Sequence, residues 1–263
     1  MPLIGFGTWD LQGEPVKESL RVALDKGYNH IDTAEGYRNE AEIGEVLKSY
    51  NRDRLFLTSK VLPTNLHYDD VLGSLDQSLD KLGTDYLDLY LIHWPNPAIS
   101  LRETLLALSK LYESGLVKTI GVSNFSKYQL RVAHKISDVP ISVNQVEFHP
   151  WNREQDLLEY CESNDITMTA SAPLARTKVL QDPVINELSE KYQKTPAQIV
   201  LGWQIKQDVV TIPKSSSKDH IESNFEAVNF ELEESDVDRI NNISKQEKVY
   251  QLDLEDDIYG IPS

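Results

Sequence analysis

The fold class is decided by residues 55–92, which read LFLTSKVLPTNLHYDDVLGSLDQSLDKLGTDYLDLYLI. Two short runs of large apolar residues, 55–58 and Leu87–Ile92, have the length and composition of buried strands. Between them the sequence predicts an amphipathic helix, whose apolar face is formed by Val71, Leu75, Leu79 and Leu82. A strand, a helix and a second strand in this order predict a parallel pair joined by a crossover helix.

The same alternation continues on both sides of this unit. Further strands are predicted at residues 117–122, 142–146, 166–170 and 209–212. The stretch before the last of them has room for an extra helix near residues 182–192, and Thr195-Pro196-Ala197-Gln198 predicts the start of another helix with a capping box.

Two arrangements fit this alternation, an open doubly wound sheet and a closed barrel. Units of about 30 residues, repeated eight times, favour the barrel. No Gly-rich G-x-G-x-x-G sequence follows a strand, which disfavours a Rossmann dinucleotide site. No Pro/Gly-rich linker divides the chain. We therefore expect an α/β fold, a single (β/α)₈ TIM barrel domain spanning residues 1–263.

Composition narrows the class of partner. The net charge of −16 argues against nucleic acid, because such partners require clustered lysine and arginine. The sequence has neither a signal peptide nor an apolar run long enough for a membrane span, so no membrane partner is expected. Cys161 is the only cysteine, which rules out an intramolecular disulfide and fits the cytoplasm.

Polar residues follow the ends of the predicted strands, where a barrel carries its chemistry. Asp32 ends the second strand, and Tyr37 lies in the loop after it. Lys60 follows the third strand and His93 follows the fourth. Because the carboxyl ends of the strands meet at one rim, we expect these four side chains to converge.

These four residue types suit the reduction of a carbonyl group by hydride, which creates an alkoxide that must take up a proton. A free tyrosine has a pKa of about 10, so Tyr37 needs a cation to stabilise its phenolate. Lys60 would supply that cation and lower the pKa, and Asp32 would anchor Lys60. His93 would donate a hydrogen bond to the carbonyl oxygen and orient it.

Each of these residues alone also has an ordinary structural explanation. Asp32 and Lys60 could form a buried structural ion pair, and His93 could be a hydrogen-bonded core residue. A single tyrosine in a loop is usually packing or surface. The presence of all four at one rim is what favours a catalytic site.

Six stretches, in order along nearly the whole chain, resemble the aldo-keto reductase family, in particular its aldose reductase and diketogluconate reductase-like branch. They read GFGTW (5–9), DTAEGYRNE (32–40), LIHWP (91–95), GVSNF (121–125), NQVEFHP (144–150) and IPKS (212–215). The resemblance implies an NAD(P)H-dependent carbonyl reductase whose catalytic tetrad falls on Asp32, Tyr37, Lys60 and His93.

The resemblance also implies a nicotinamide cofactor, NADPH, with NADH used as well, and no metal. Its implied contacts are Gly7, Thr8, Asp32, Ser123, Asn124, Gln145, Ser171, Leu174, Lys214, Ser215, Ser216, His220 and Asn224. In two places the chain departs from the family pattern. His220 stands where an arginine is common, with Lys218 nearby, and Ser171 stands where an aromatic ring is common.

For the substrate, a small-molecule carbonyl compound, the pocket is expected to be lined by Trp9, Tyr37, His93 and Trp94. Leu62 replaces a common aromatic residue and suggests a wider opening. The family's N-terminal hairpin is not expected, and the tail at residues 249–263 is short and acidic. We expect a monomer or a weak homo-oligomer.

Two functions from other classes remain open. One is a non-catalytic, nucleotide-binding regulatory or structural protein on the same scaffold. The other is a metal-dependent hydrolase that would use Asp32, His93, Glu147 and His149. The other four histidines lie on scattered segments, which disfavours the hydrolase.

Overall fold

The computed structural model describes residues 1–250, so most of the predicted tail lies outside the described residues. Eight parallel strands form one sheet in which each strand pairs with the next along the chain. The strands are β1 (Phe6–Gly7), β2 (His30–Asp32), β3 (Phe56–Val61), β4 (Leu87–Ile92), β5 (Val117–Ser123), β6 (Ile141–Glu147), β7 (Thr167–Ser171) and β8 (Val210–Thr211).

Contacts between the first and last strands close the sheet into a barrel. The N–H of Gly5 donates to the carbonyl of Thr211 at 2.8 Å, and the N–H of Thr211 donates to Leu3 at 2.9 Å. Further along, the N–H of Gly7 donates to the carbonyl of Pro213 at 3.1 Å. The predicted (β/α)₈ barrel is confirmed, and no hairpin precedes β1 in the described chain.

Helices alternate with the strands and pack outside the barrel. They are α1 (Gly13–Lys26), α2 (Glu40–Leu47), α3 (Tyr68–Leu82), α4 (Leu101–Glu113), α5 (Lys127–Ile136), α6 (Gln155–Glu162), α7 (Pro183–Tyr192), α8 (Pro196–Ile205), α9 (Lys218–Phe225) and α10 (Glu234–Asn241). Helix α7 is the predicted extra helix. Within residues 1–250 no helix has both the length and the apolar character that a membrane crossing requires.

Local sequence explains where α8 begins. The side chain of Thr195 accepts a hydrogen bond from the N–H of Gln198, and the Gln198 side chain accepts one from the N–H of Thr195. Pro196 occupies the first turn, where its missing N–H costs nothing. The predicted capping box is therefore present, and it fixes the start of a helix that is buried along most of its length.

Alternate residues of a strand face the same side of the sheet, and this alternation builds the layers inside the barrel. His30 and Thr58 lie in a lower layer, where the His30 ring packs edge-on against Phe56 at 5.1 Å. Burial lowers the pKa of His30 to about 4, so this imidazole is neutral. Two residues further along, Asp32 and Lys60 reach the rim.

We expect Gly44→Ala to lower the free energy of unfolding by about 1–3 kcal/mol. A Cβ at position 44 of α2 would collide with the carbonyl of Lys81 and come within 2.9 Å of the Cα of Leu82 on α3, so the two helices would have to separate. Urea denaturation measures the change. The matched control is Gly73→Ala in α3, where a Cβ meets no atom within 4 Å. An equal effect of both substitutions would show that close approach at Gly44 is not the cause.

Candidate active site

A buried ion pair lies at the base of the barrel mouth. The ammonium of Lys60 is 2.6 Å from Asp32 Oδ1, 2.9 Å from the carbonyl of Thr33 and 3.3 Å from the hydroxyl of Tyr37. The Lys60 side chain is fully buried and that of Asp32 almost fully. An ammonium has three hydrogens, and here each has one acceptor. The structure thus brings together three of the four residues of the predicted tetrad.

Asp32 is held from two further directions. Its second carboxylate oxygen accepts a hydrogen bond from Gln145 Nε2 at 2.7 Å. Its backbone carbonyl accepts bonds from the N–H and the hydroxyl of Thr8, which is fully buried. Thr8 therefore fixes the backbone of Asp32 from the buried side, while the neighbouring Gly7 lines the open cleft.

Tyr37 ends a single 3₁₀ turn, Glu35–Tyr37, directly after β2. Lys60 Nζ also lies 4.8 Å from the centre of the Tyr37 ring. Burial and then the charge of Asp32 raise the pKa of Tyr37 well above its ordinary value. The sequence-based expectation that Lys60 lowers this pKa is therefore wrong for the protein without ligands. The physical reason is the burial of the phenol, to which the negative charge of Asp32 adds.

His93 follows β4 and completes the group. Its ring meets the Tyr37 ring edge-on, with centres 5.5 Å apart. Burial, and then the charge of Lys60, lower the pKa of His93 well below its ordinary value, so the imidazole is neutral. Among the described residues no group bonds its buried Nδ1. An unpaired buried N–H is rarer than an unpaired acceptor, which favours the tautomer that carries its proton on Nε2.

Two connected cavities open above these residues. The first, the rim cavity, has a volume of about 520 Å³ and is lined by His93, Trp94, Ser123, Asn124 and Leu62 among others. The second, the side groove, has a volume of about 330 Å³ and is lined by Gly7, Asp32, Leu174 and Lys214 among others. They share the residues Trp9, Tyr37, Gln145, Ser171, Arg176 and Tyr250, so they form one cleft.

Ser123, Asn124 and Gln145, the predicted carboxamide contacts, all line the rim cavity. Their hydrogen-bond donors are largely used within the protein. Ser123 Oγ donates to the carbonyl of Gln145, and Asn124 Nδ2 donates to the carbonyl of His93 and to Ser123 Oγ. The backbone of Asn124 is left-handed, a conformation that asparagine tolerates well. The side-chain oxygens of Asn124 and Gln145 remain as acceptors.

The predicted phosphate contacts lie around the start of α9. Lys214 lines the side groove, whereas Ser215, Ser216, His220 and Asn224 lie outside both cavities. The ammonium of Lys218 is 3.8 Å from a carboxylate oxygen of Glu222, one helical turn later, so part of its positive charge is already balanced by Glu222. Ser217, which precedes α9, makes no side-chain cap. The first N–H groups of the helix therefore remain available to an anion.

Arg176 and Tyr250 line both cavities, although the sequence did not predict them as site residues. Arg176 lies in the 3₁₀ segment after β7, five residues beyond the end of the strand at Ser171, so the strand-end pattern that pointed to the other site residues did not point to it. Tyr250 belongs to the predicted tail, but nothing in the sequence distinguishes it from the other tail residues. Its ring lies 6.0 Å from that of Trp94, and burial and then Tyr37 raise its pKa.

Glu147 holds the segment that carries Tyr250. Its two carboxylate oxygens accept hydrogen bonds from the N–H groups of Val249 and Tyr250 at 2.7 and 2.8 Å, and His149 Nε2 lies 2.8 Å from the first oxygen. Burial alone would raise the pKa of Glu147, but these three hydrogen bonds hold it below its ordinary value. We call this arrangement the Glu147 clamp.

The residues of the alternative hydrolase site do not converge. Asp32 is bound by Lys60 and Gln145, while Glu147 and His149 bond to each other. In the part of the chain that the structure describes, no group of three or more His, Cys, Asp or Glu residues could hold a metal ion.

Comparison with known proteins places the chain among carbonyl-reducing enzymes. The model of the aldo/keto reductase family matches residues 3–245. Glyoxal reductase of Bacillus subtilis (strain 168) is 39% identical over 252 residues, which cover 95% of this chain and 91% of the relative.

Solved structures agree with the sequence relatives. MGS-M4, an aldo-keto reductase from a Medee basin deep-sea metagenome, superposes with a TM-score of 0.93 at 37% identity, covering 95% of this chain and 94% of that one. A protein described as a putative 2,5-diketo-D-gluconic acid reductase B gives a TM-score of 0.92 at 34% identity, covering 96% and 91%.

We expect Glu147→Gln to release the segment that carries Tyr250. A carboxamide offers one acceptor oxygen where the carboxylate offers two, so one of the two bound N–H groups loses its partner. Hydrogen exchange of peptides covering residues 245–250 should become at least several-fold faster. The control is Glu154→Gln, which removes the surface ion pair of Glu154 with Lys248 in the same segment. Equal protection in both variants would contradict the clamp.

Proposed function

The chain belongs to the aldo/keto reductase family, and from that premise we propose that it reduces an aldehyde or a ketone to the alcohol with NADPH, using Tyr37 as the proton donor. The observation that carries the proposal is the contact of 3.3 Å between the buried ammonium of Lys60 and the hydroxyl of Tyr37 at the base of an open cleft. A purely structural ion pair of Asp32 and Lys60 would need a third acceptor for the ammonium, but not a phenol that lines an open cleft.

The proton transfer follows from the charges around Tyr37. The raised pKa keeps the phenol protonated at neutral pH, which is the form a proton donor requires. An alkoxide is a far stronger base than a phenolate, so the proton moves when hydride addition creates negative charge on the substrate oxygen. Lys60 then faces the new phenolate at hydrogen-bond distance, and Asp32 keeps Lys60 in place.

His93 orients the carbonyl group in this proposal. Because the imidazole is neutral, it donates a hydrogen bond without competing with Tyr37 as an acid. Its ring stands edge-on to Tyr37, so both groups can reach one oxygen in the rim cavity. Two donors aimed at the same oxygen favour the charge that develops there.

The residues of the cleft fit a nicotinamide cofactor, which supplies the hydride when it is bound. Ser171 Oγ is buried in the wall that the two cavities share, beside the Tyr250 hydroxyl, and the side groove opens next to it. Asn124 and Gln145 offer acceptor oxygens to a carboxamide. Lys214 and the free N–H groups at the start of α9 offer charge and donors to a phosphate. NADPH is therefore the proposed cofactor, with NADH accepted less well.

The proposed substrate is a small carbonyl compound with an apolar part. Trp9 and Trp94 contribute the aromatic walls of the rim cavity, and Leu62 takes a place at the opening beside Gly36. One relative is named a glyoxal reductase, which supports small reactive aldehydes as the first compounds to test.

We expect Tyr37→Phe to lower kcat by about 10²–10⁴-fold with a reactive aldehyde, because general acid catalysis contributes a factor of this size. NADPH consumption, followed by absorbance, measures the rate. The affinity for NADPH, measured by fluorescence titration, should stay within about twofold. The matched control is Tyr90→Phe, since the Tyr90 hydroxyl is buried in the barrel wall without a partner among the described residues. A protein that binds NADPH but shows no Tyr37-dependent turnover would be the non-catalytic alternative.

We expect His220→Arg to raise the preference for NADPH over NADH. A guanidinium offers a fixed charge and several donors to the 2′-phosphate that only NADPH carries. The ratio of kcat/KM for the two cofactors measures this change. An unchanged ratio would refute a role of position 220 in binding the phosphate.

A further inference from the structure

One carboxylate, that of Glu35, joins the turn that carries Tyr37 to the chain that follows β3. Its Oε2 accepts a hydrogen bond from the N–H of Leu62 at 3.0 Å. Its Oε1 accepts one from Asn65 Nδ2 at 2.8 Å, and Ser74 Oγ lies 3.4 Å from the same oxygen. Both carboxylate oxygens are therefore used, and every one of these partners lies outside the turn of Tyr37.

Residues 62–65 form a turn of their own, which we call turn 62–65. The N–H of Asn65 donates to the carbonyl of Leu62 at 3.0 Å and closes this turn. Gly36 lets the chain before Tyr37 approach it closely, since a Cβ at position 36 would lie 2.9 Å from Leu62 Cδ2 and 3.8 Å from His93 Nδ1. The hydrogen bonds of the preceding carboxylate thus hold the two turns together where they touch.

Turn 62–65 is also bound to the segment that follows β4 and carries His93. Asn96 Nδ2, three residues after His93, donates a hydrogen bond to the carbonyl of Pro63 at 2.9 Å. The segments of Tyr37 and His93 are therefore both fixed to this one turn. Its position contributes to the spacing between the phenol and the imidazole.

We propose that Glu35 is a positioning residue, which acts through Tyr37 by fixing the turn of the phenol to turn 62–65 and so setting the place of the phenol relative to His93. The inference rests on the proposed reductase function and adds a residue that lines neither cavity. Two donors reach one substrate oxygen only if their separation is right, and a misplacement of about 1 Å can cost about 10²-fold in rate.

A purely structural role of Glu35 is the competing explanation, and Glu103 on α4 provides the matched control. Glu103 Oε1 accepts a hydrogen bond from the N–H of Tyr68 at 3.0 Å and lies 3.2 Å from His67 Nδ1. It therefore ties α4 to the start of α3 in the same manner, but neither Glu103 nor these partners line the cleft. Glu103→Gln should leave kcat within about twofold of the wild type.

The test exchanges the donor and the acceptor between positions 35 and 65. In Glu35→Gln one amide oxygen faces the N–H donors of Leu62 and Asn65, and in Asn65→Asp two carboxylates face each other. Each single substitution should lower kcat with a reactive aldehyde by about tenfold. In the double variant the new amide donates to the new carboxylate and accepts from Leu62, so kcat should return to within about threefold of the wild type.

Two further readouts distinguish positioning from a general loss of stability. The affinity for NADPH, measured by fluorescence titration, should stay within about twofold in all these variants. In the Tyr37→Phe background, Glu35→Gln should change kcat by less than about twofold, because no phenolic hydroxyl is left to place. A tenfold loss in that background, or an equal loss of kcat in Glu103→Gln, would overturn the inference.

Hydrogen exchange tests the tie without turnover. Peptides that cover residues 61–66 should exchange several-fold faster in Glu35→Gln and regain their protection in the double variant. A wild type that reduces no aldehyde would contradict the proposed function, while the exchange still decides whether Glu35 holds turn 62–65. Unchanged exchange in Glu35→Gln, or losses of kcat that multiply in the double variant, would overturn the inference.

Discussion

The buried ion pair of Asp32 and Lys60 is the interaction on which the site depends. Removing one partner of such a pair leaves an unpaired charge in the interior and typically costs about 3–5 kcal/mol. The barrel meets this constraint by giving every hydrogen of the ammonium an acceptor, one of which is the Tyr37 hydroxyl. The phenol is thus part of the solvation of a buried charge, and this role also brings it to the base of the cleft.

From this centre the cleft extends in two directions with different chemistry. Toward the side groove the protein offers Lys214 and the free N–H groups at the start of α9, which suit the phosphates of a nucleotide. Toward the rim cavity it offers the aromatic walls of Trp9 and Trp94, while Arg176 lines both parts of the cleft. The Glu147 clamp places Tyr250 where the two parts meet. A reaction between a nucleotide and a small carbonyl compound requires such a junction.

The sequence predicted the barrel because short apolar runs typical of buried strands alternate along it with the apolar pattern of amphipathic helices. It predicted the tetrad because the carboxyl ends of barrel strands meet at one rim. It missed Arg176 because the direction of the Arg176 side chain depends on three consecutive left-handed residues, none of them a glycine, which no sequence pattern predicts. It missed Tyr250 because a tail is placed by tertiary contacts, here with Glu147. It also assigned the wrong direction to the Tyr37 pKa, since burial depends on packing and not on neighbours in sequence.

A double-mutant cycle of Lys60→Met and Tyr37→Phe tests whether Lys60 acts on the reaction through the Tyr37 phenol. If it does, kcat/KM of the double variant equals that of Tyr37→Phe within about threefold, because the cation has nothing left to stabilise. If the two losses multiply, Lys60 acts independently of the phenol, which would contradict the proposed role of the ion pair.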